Sequence, residues 1–230
     1  MIRNEINRLL YALFPRRCDL CGEVVTPDVG RCDACSGARR VTGKTCPHCG
    51  KSKDDCRCKD SAYNKPRYNA AFAPYYYEGS ISFGIRRMKL HGYRELTDGM
   101  AKEMYEYFDD HCDEHIDIVT YVPISPRRKR TRGYNQARLL AEKVASRLEL
   151  PVVPTLKKIV NTDSQRTKPG YKRRGNVFGV FDLIDGVDVD GKAVLLVDDV
   201  KTTGATLSEC ADMLKIYGAK DVYVLTFAIR

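Results

Sequence analysis

The chain predicts a parallel α/β sheet preceded by a small cysteine-rich module, and three features carry that expectation. From residue 68 onward, short apolar runs alternate with helical stretches, the pattern of strands joined by crossover helices. One run, Val194-Leu195-Leu196-Val197, is apolar without a break, as suits a strand covered on both faces. Eight of the ten cysteines fall between Cys18 and Cys58, which sets that stretch apart from the rest. The 230 residues allow one good-sized domain plus an appendage. They divide into an amphipathic helix at 1–17, the cysteine module at 18–60 and the α/β body at 61–230.

At the front, Ile2, Ile6, Leu9, Leu10, Leu13 and Phe14 recur at helical spacing and Pro15 stops the run. A helix packed on its own protein is the favoured reading, with a membrane-surface helix the alternative. The segment is too short and too interrupted by charge for a secretory signal. No stretch is long enough to span a membrane, so the expected location is the cytoplasm.

The cysteines follow as Cys18-x2-Cys21, Cys32-x2-Cys35, Cys46-x2-Cys49 and Cys56-x-Cys58. Paired thiols on tight turns present two sulfurs to one metal, and two such pairs complete a tetrahedral zinc site. Cys18, Cys21, Cys32 and Cys35 form one expected set; Cys46, Cys49, Cys56 and Cys58 form the other. Interleaved pairing, or a single occupied site, fits the spacing as well. His48 lies inside its own knuckle and reads as a spectator. A disulfide framework would require an oxidising compartment, and an iron–sulfur cluster is a further alternative. Zinc is preferred: an all-cysteine set is closed, so the metal stabilises a stretch too small to fold by itself. Cys112 and Cys210 read as packing residues.

In the body, a strand is expected at Tyr68–Tyr77, helices at Ser82–His91 and Leu96–Phe108, and a strand at Ile116–Val122. A helix follows at Asn135–Leu148, then strands at Val152–Val160, Val177–Leu183 and Ala193–Val197. A Thr206–Tyr217 helix and a Val222–Ile229 strand end the chain. The formal net charge is +9 and uneven. Arg127, Arg128, Lys129, Arg130 and Arg132 make one basic block; Lys157, Lys158, Arg166, Lys168, Lys172, Arg173 and Arg174 make another. Such blocks suit an anionic partner, pyrophosphate or a nucleic-acid backbone, although a solvated basic surface reads the same way. Tyr134 and Tyr171 beside them, and Tyr75, Tyr76 and Tyr77, are candidates for base stacking, but the triplet reads better as strand.

Val194–Val197 continues into Asp198, Asp199, Val200 and Lys201, then Thr202-Thr203-Gly204-Ala205-Thr206. That loop offers backbone N–H groups, hydroxyls and a helix N-terminus to a phosphate dianion. The two carboxylates repel phosphate and suit vicinal hydroxyls or a magnesium ion one sugar ring away. Phosphate at one end and a diol at the other describe a ribose 5-phosphate. The run resembles the signature by which type I phosphoribosyltransferases bind 5-phosphoribosyl 1-pyrophosphate (PRPP), with only Lys201 unusual.

The likeness narrows with Val122-Pro123-Ile124-Ser125-Pro126-Arg127-Arg128 and Arg132-Gly133-Tyr134-Asn135-Gln136-Ala137. These segments resemble the competence-associated ComF family, as do Met88-Lys89-Leu90-His91-Gly92, Gln165, Arg174, Asn176 and Phe181. The resemblance implies a type I phosphoribosyltransferase fold behind a double zinc ribbon. It implies PRPP bound with Mg2+, Asp198 and Asp199 on the ribose hydroxyls and residues 202–206 on the 5-phosphate. Ser125, Arg127 and Arg128 are its candidates for pyrophosphate, with Arg132 or Arg174 brought by a closing loop and Lys89 an added phosphate contact. The family is linked to DNA uptake and natural transformation, which implies single-stranded DNA and an uptake helicase as partners. Three functions stay open: handling of incoming single strands, phosphoribosyl transfer to a nitrogen nucleophile as in amidophosphoribosyltransferases, and PRPP-responsive regulation through the zinc ribbons.

Overall fold

The computed structural model describes residues 11–58, 66–159 and 180–230. Five parallel strands build the main sheet: β1 (Ala70–Phe72), β2 (Tyr75–Tyr76), β3 (Ile118–Tyr121), β6 (Ala193–Lys201) and β7 (Asp221–Ile229). Both β1 and β2 pair with β7, which pairs with β6, which pairs with β3. The long stretch expected at Tyr68–Tyr77 breaks in two because Pro74 interrupts it and supplies no ladder N–H.

Side chains alternate across β6, and the alternation divides the core. Leu195 and Val197 join helices α2 (Gly79–His91), α3 (Leu96–His111) and α5 (Gln136–Leu148) on one face. Val194 and Leu196 meet α6 (Ala205–Ile216) on the other. Both faces are covered, as the unbroken apolar run requires. Among the described residues no helix is long and apolar enough to cross a membrane.

Three expectations need correction. The body is not one parallel sheet throughout: β4 (Leu156–Lys158) and β5 (Phe181–Leu183) form a separate antiparallel ribbon. Val152, expected in the same strand as β4, instead bridges Val119. Pro151 and Pro154 cut the segment short. A seven-residue helix, α4 (Pro126–Arg132), stands where the sequence reads only as a basic block. It buries no residue, so no apolar periodicity announced it. Finally, β6 runs on through both acids to Lys201, so Asp198 and Asp199 lie within the ladder. The front helix falls mostly outside the described residues.

The cysteine module, which carries the one-turn helix α1 (Asp33–Ser36), lies on the body at two places. Gly84 in α2 and Gly99 in α3 admit the first knuckle: a Cβ at Gly84 would sit 2.0 Å from the Leu20 carbonyl oxygen, and one at Gly99 2.5 Å from that of Asp19. A mid-helix glycine costs roughly 1 kcal/mol relative to alanine, and here it permits backbone-to-backbone contact. Beside it, the Glu103 carboxylate from α3 takes Arg31, Arg40 (2.5 Å) and the Tyr75 hydroxyl (2.6 Å). Burial works against this carboxylate, but the hydrogen bonds from Tyr75, Arg40 and Arg31 prevail and hold its pKa below the ordinary range.

Candidate functional site

The site is assembled where β6 ends. Asp199 is buried and meets the Lys89 ammonium at 2.8 Å, which reaches across from the last turn of α2. Asp198 accepts a hydrogen bond from the Asp199 amide at 2.8 Å. Burial, then the neighbouring Asp199 charge, raises the Asp198 carboxyl well above the ordinary carboxylate range; Lys89 and Arg128 oppose the shift. A carboxyl held in that state gains from any ligand that favours its charged form, a cation or a hydroxyl hydrogen.

Beyond Lys201 the chain turns at Gly204, whose left-handed φ of 80° is the N-cap of α6. Thr202, Thr203, Ala205 and Thr206 are exposed, and Gly204 is buried beneath them. The Thr203 hydroxyl accepts from the Ala205 amide at 3.3 Å. Among the described residues the amides of Thr203 and Gly204 make no backbone hydrogen bond. The loop therefore presents donors outward at a helix N-terminus, the arrangement that receives an anion.

Beside the acids lies a cavity of about 760 Å³ walled by Lys89, Ser125, Arg127, Arg128, Arg132 and Lys158, among others. Local sequence explains its wall. Ser125 caps α4 by accepting from the Arg128 amide at 3.3 Å, Pro126 occupies the first turn, and Gly133 ends it in the left-handed region. Asn135 caps α5 and also donates to the Val122 carbonyl at 3.0 Å, tying β3, the turn and α5 together. The residues expected for pyrophosphate, Lys89, Ser125, Arg127, Arg128 and Arg132, thus line one cavity, whereas residues 202–206 do not line it; Arg174 lies outside the described residues, as do Gln165, Asn176 and the second basic block from Arg166 on. Lys158 was read only as part of a basic run; its place in the cavity wall depends on the β4–β5 pairing, which the local pattern does not reveal.

The tyrosines do not form a stacking platform. Tyr75, Tyr76 and Tyr134 are all buried, with hydroxyls bonded to Glu103, Asp55 and the Met88 carbonyl. Tyr171 lies outside the described residues.

The eight cysteines group as two sets of four, Cys18/Cys21/Cys32/Cys35 and Cys46/Cys49/Cys56/Cys58, each with its ligand atoms within 4.8 Å of one another. This is the sequential pairing, and the interleaved alternative falls. The Cys21–Cys32 and Cys49–Cys56 sulfurs are 3.5 and 3.7 Å apart, near the edge of a tetrahedron with zinc–sulfur bonds of about 2.3 Å. Without a cation the thiols cannot all ionise. In the first set a hydrogen bond with Cys35 holds Cys21 low while the same contact pushes Cys35 up. In the second, burial raises Cys49 to about 12, while the Cys58 amide lowers Cys56. A divalent ion resolves this, and the donor sets fit structural zinc.

Comparison with known proteins agrees with this geometry. Residues 9–63 match the double zinc ribbon domain and residues 135–229 the phosphoribosyl transferase domain. Competence protein F of Haemophilus influenzae is 27% identical, over 83% of this chain and 87% of its own length. Competence protein ComFC of Bacillus subtilis is 28% identical over 83% and 80%, and DNA utilization protein YhgH of Escherichia coli O157:H7 is 27% identical over 85% and 88%. With a double zinc ribbon set ahead of a phosphoribosyl transferase domain, and with relatives matched over most of their length, the chain is a phosphoribosyltransferase-like member of the ComF family.

Proposed function

We propose that the chain binds PRPP with magnesium and serves DNA uptake, handling imported single-stranded DNA in the cytoplasm. The observation that carries the first part is the succession, at the end of β6, of an acid pair and an exposed hydroxyl-rich loop, with Lys89 joining buried Asp199 to the cationic cavity it also walls. Their order matches the ligand. Residues 202–206 take the 5-phosphate, Asp198 and Asp199 take the ribose hydroxyls, and Lys89, Ser125, Arg127, Arg128 and Arg132 surround the pyrophosphate. Magnesium would neutralise part of the pyrophosphate charge. The Lys89–Asp199 pair orients the acid before the sugar arrives.

The role in DNA uptake rests on the relatives named for competence and DNA utilization. The surface of α4 supports the single-stranded DNA reading. It buries nothing and carries Arg127, Arg128, Lys129, Arg130 and Arg132 within seven residues. With Tyr75, Tyr76 and Tyr134 withdrawn into the body, contact would rest on phosphate charge, so binding should be indifferent to sequence and steep in salt. Each phosphate neutralised adds roughly 0.7 to the salt slope for single strands, so these five and Lys158 would give a slope on the order of four. A helicase of the uptake system is a partner consistent with that role.

A second reading, transfer of the phosphoribosyl group, is favoured by the cavity itself. Pyrophosphate leaving ribose C1 gains charge, and Arg127, Arg128 and Lys89 are placed to stabilise it. A nitrogen nucleophile would form the new bond to C1 as the C1–oxygen bond to pyrophosphate breaks. A third reading makes PRPP a signal passed to a protein partner through the ribbons. Fluorescence anisotropy of a labelled single strand across a salt series, with pyrophosphate release assayed beside it, separates the three. A steep slope that Arg127→Gln/Arg128→Gln flattens supports DNA handling. Pyrophosphate release dependent on an added base supports transfer. PRPP binding with neither supports regulation.

A further inference from the structure

Lys201 interrupts an otherwise conventional loop signature, and nothing above gives it a task. Its side chain is buried, with 6% of its surface exposed, and among the described residues the ammonium has no ion pair or hydrogen bond. Burial disfavours the charged ammonium, so nearby anions bear on it directly. The loop of residues 202–206 lies against it: a Cβ built on Gly204 would stand 3.1 Å from Lys201 Cε and 3.3 Å from its Nζ. Burial pushes its pKa down, with Lys51 acting in the same sense, while the charges of Cys49, Cys58 and Cys46 act against that shift.

The second knuckle is fastened to the same spot. Tyr68 donates to the His48 carbonyl at 2.6 Å, its oxygen stands 3.8 Å from the Gly204 Cβ position, and the Ala71 amide donates to the Pro47 carbonyl at 2.9 Å. Four thiolates around one zinc ion form a net dianion. A sugar phosphate in the loop is another. Close together they repel, and a cation near both offsets part of that repulsion.

We propose that Lys201 is the positioning residue that couples the second tetracysteine centre to the phosphate loop, serving as counter-ion to the zinc tetrathiolate and holding the loop in the form that receives a phosphate monoester. This rests on the reading of residues 202–206 as a phosphate site. It makes the second ribbon part of the binding site's floor, so that loss of its zinc weakens phosphate binding.

Calorimetric titration of ribose 5-phosphate, and separately of pyrophosphate, into the full chain and into Lys201→Gln and Lys201→Arg tests it, with zinc release to a colorimetric chelator followed on the same samples. The expected result for Lys201→Gln is a loss of affinity for ribose 5-phosphate of about tenfold or more, with pyrophosphate affinity unchanged. Zinc should leave the second centre faster, and Lys201→Arg should restore both properties in large part. Pyrophosphate serves as the internal control, because a variant that merely loosens the fold would weaken both ligands together, and that result would overturn the inference. Unchanged ribose 5-phosphate affinity in Lys201→Gln, with wild-type binding intact, would overturn it alone. Failure of the wild-type chain to bind ribose 5-phosphate would overturn the phosphate-site reading as well.

Discussion

The first tetracysteine centre sinks Cys18, Cys21 and Cys35 into the protein, whereas the second buries only Cys46 and leaves Cys58 exposed. The first shares its core with α2 and α3 through Leu20 and Val25 and is flanked by the Glu103 network. The second rests on β1 and the underside of the phosphate loop, held by Tyr68, His48 and the Ala71 amide. Identical donor sets thus stand in different settings. One is part of the hydrophobic core, and the other lies beside the loop of residues 202–206.

Breaking the first centre should have the largest effect. Structural zinc contributes about 10–16 kcal/mol in isolated fingers, more than most domains have in total. Cys35→Ser should therefore unfold the module and drag the melting temperature down with it, as circular dichroism and metal analysis would show. Gly84→Ala attacks the same contact without touching a ligand. With the new Cβ 2.0 Å from the Leu20 carbonyl oxygen, overpacking should cost about 3 kcal/mol, a drop of roughly 10 °C in a thermal scan.

Glu103→Gln should come next. A sealed ion pair broken on one side costs about 3–5 kcal/mol. Here the side chains of Arg31 and Arg40 are 30% and 41% exposed and can turn to water, so about 2–3 kcal/mol is expected in urea denaturation. The pH dependence has a fixed sign. A depressed carboxyl stabilises the fold above its unfolded pKa, and that stability disappears as pH falls through the lower, folded value. Glu103→Gln should remove this acid-side loss from the pH profile.

Cys58→Ser, at the exposed ligand of the second centre, sharpens the contrast. It should move the melting temperature far less than Cys35→Ser while reducing affinity for ribose 5-phosphate. The smallest effect concerns Asp198. Its raised pKa means that the ligand-free protein carries a proton there above the ordinary carboxylate value of about 4, and that this group's contribution to stability is lost as pH climbs. A ligand that favours the ionised form must displace the proton. PRPP binding should therefore tighten as pH rises and show a calorimetric enthalpy that varies with the buffer.

Much of the site was legible because its signals are local. Four apolar residues, two acids and a Thr-Thr-Gly loop occupy adjacent positions, and the cysteine knuckles keep their spacing whatever the fold does. Helix α4 was missed, although Ser125 at the cap and Pro126 behind it are start signals that apolar periodicity does not provide. Other features depend on residues far apart in the chain. Glu103 meets Arg31 across 72 positions, Gly84 and Gly99 matter only because a knuckle lies on them, and Lys158 reaches the cavity through an antiparallel ribbon. Lys201 was visible as an oddity in its motif, but the nearness of the cysteine module to it cannot be read from the motif itself.

If one ligand spans the loop, the acid pair and the cationic cavity, removing the acids must weaken its binding. Calorimetric titration of PRPP with magnesium into the wild-type chain and into Asp198→Asn/Asp199→Asn reads this. Saturable binding in the wild type that falls at least a hundredfold in the double variant, while both chains melt alike, is the expected result. Absence of wild-type binding at millimolar PRPP, or equal binding by the two chains, would contradict it.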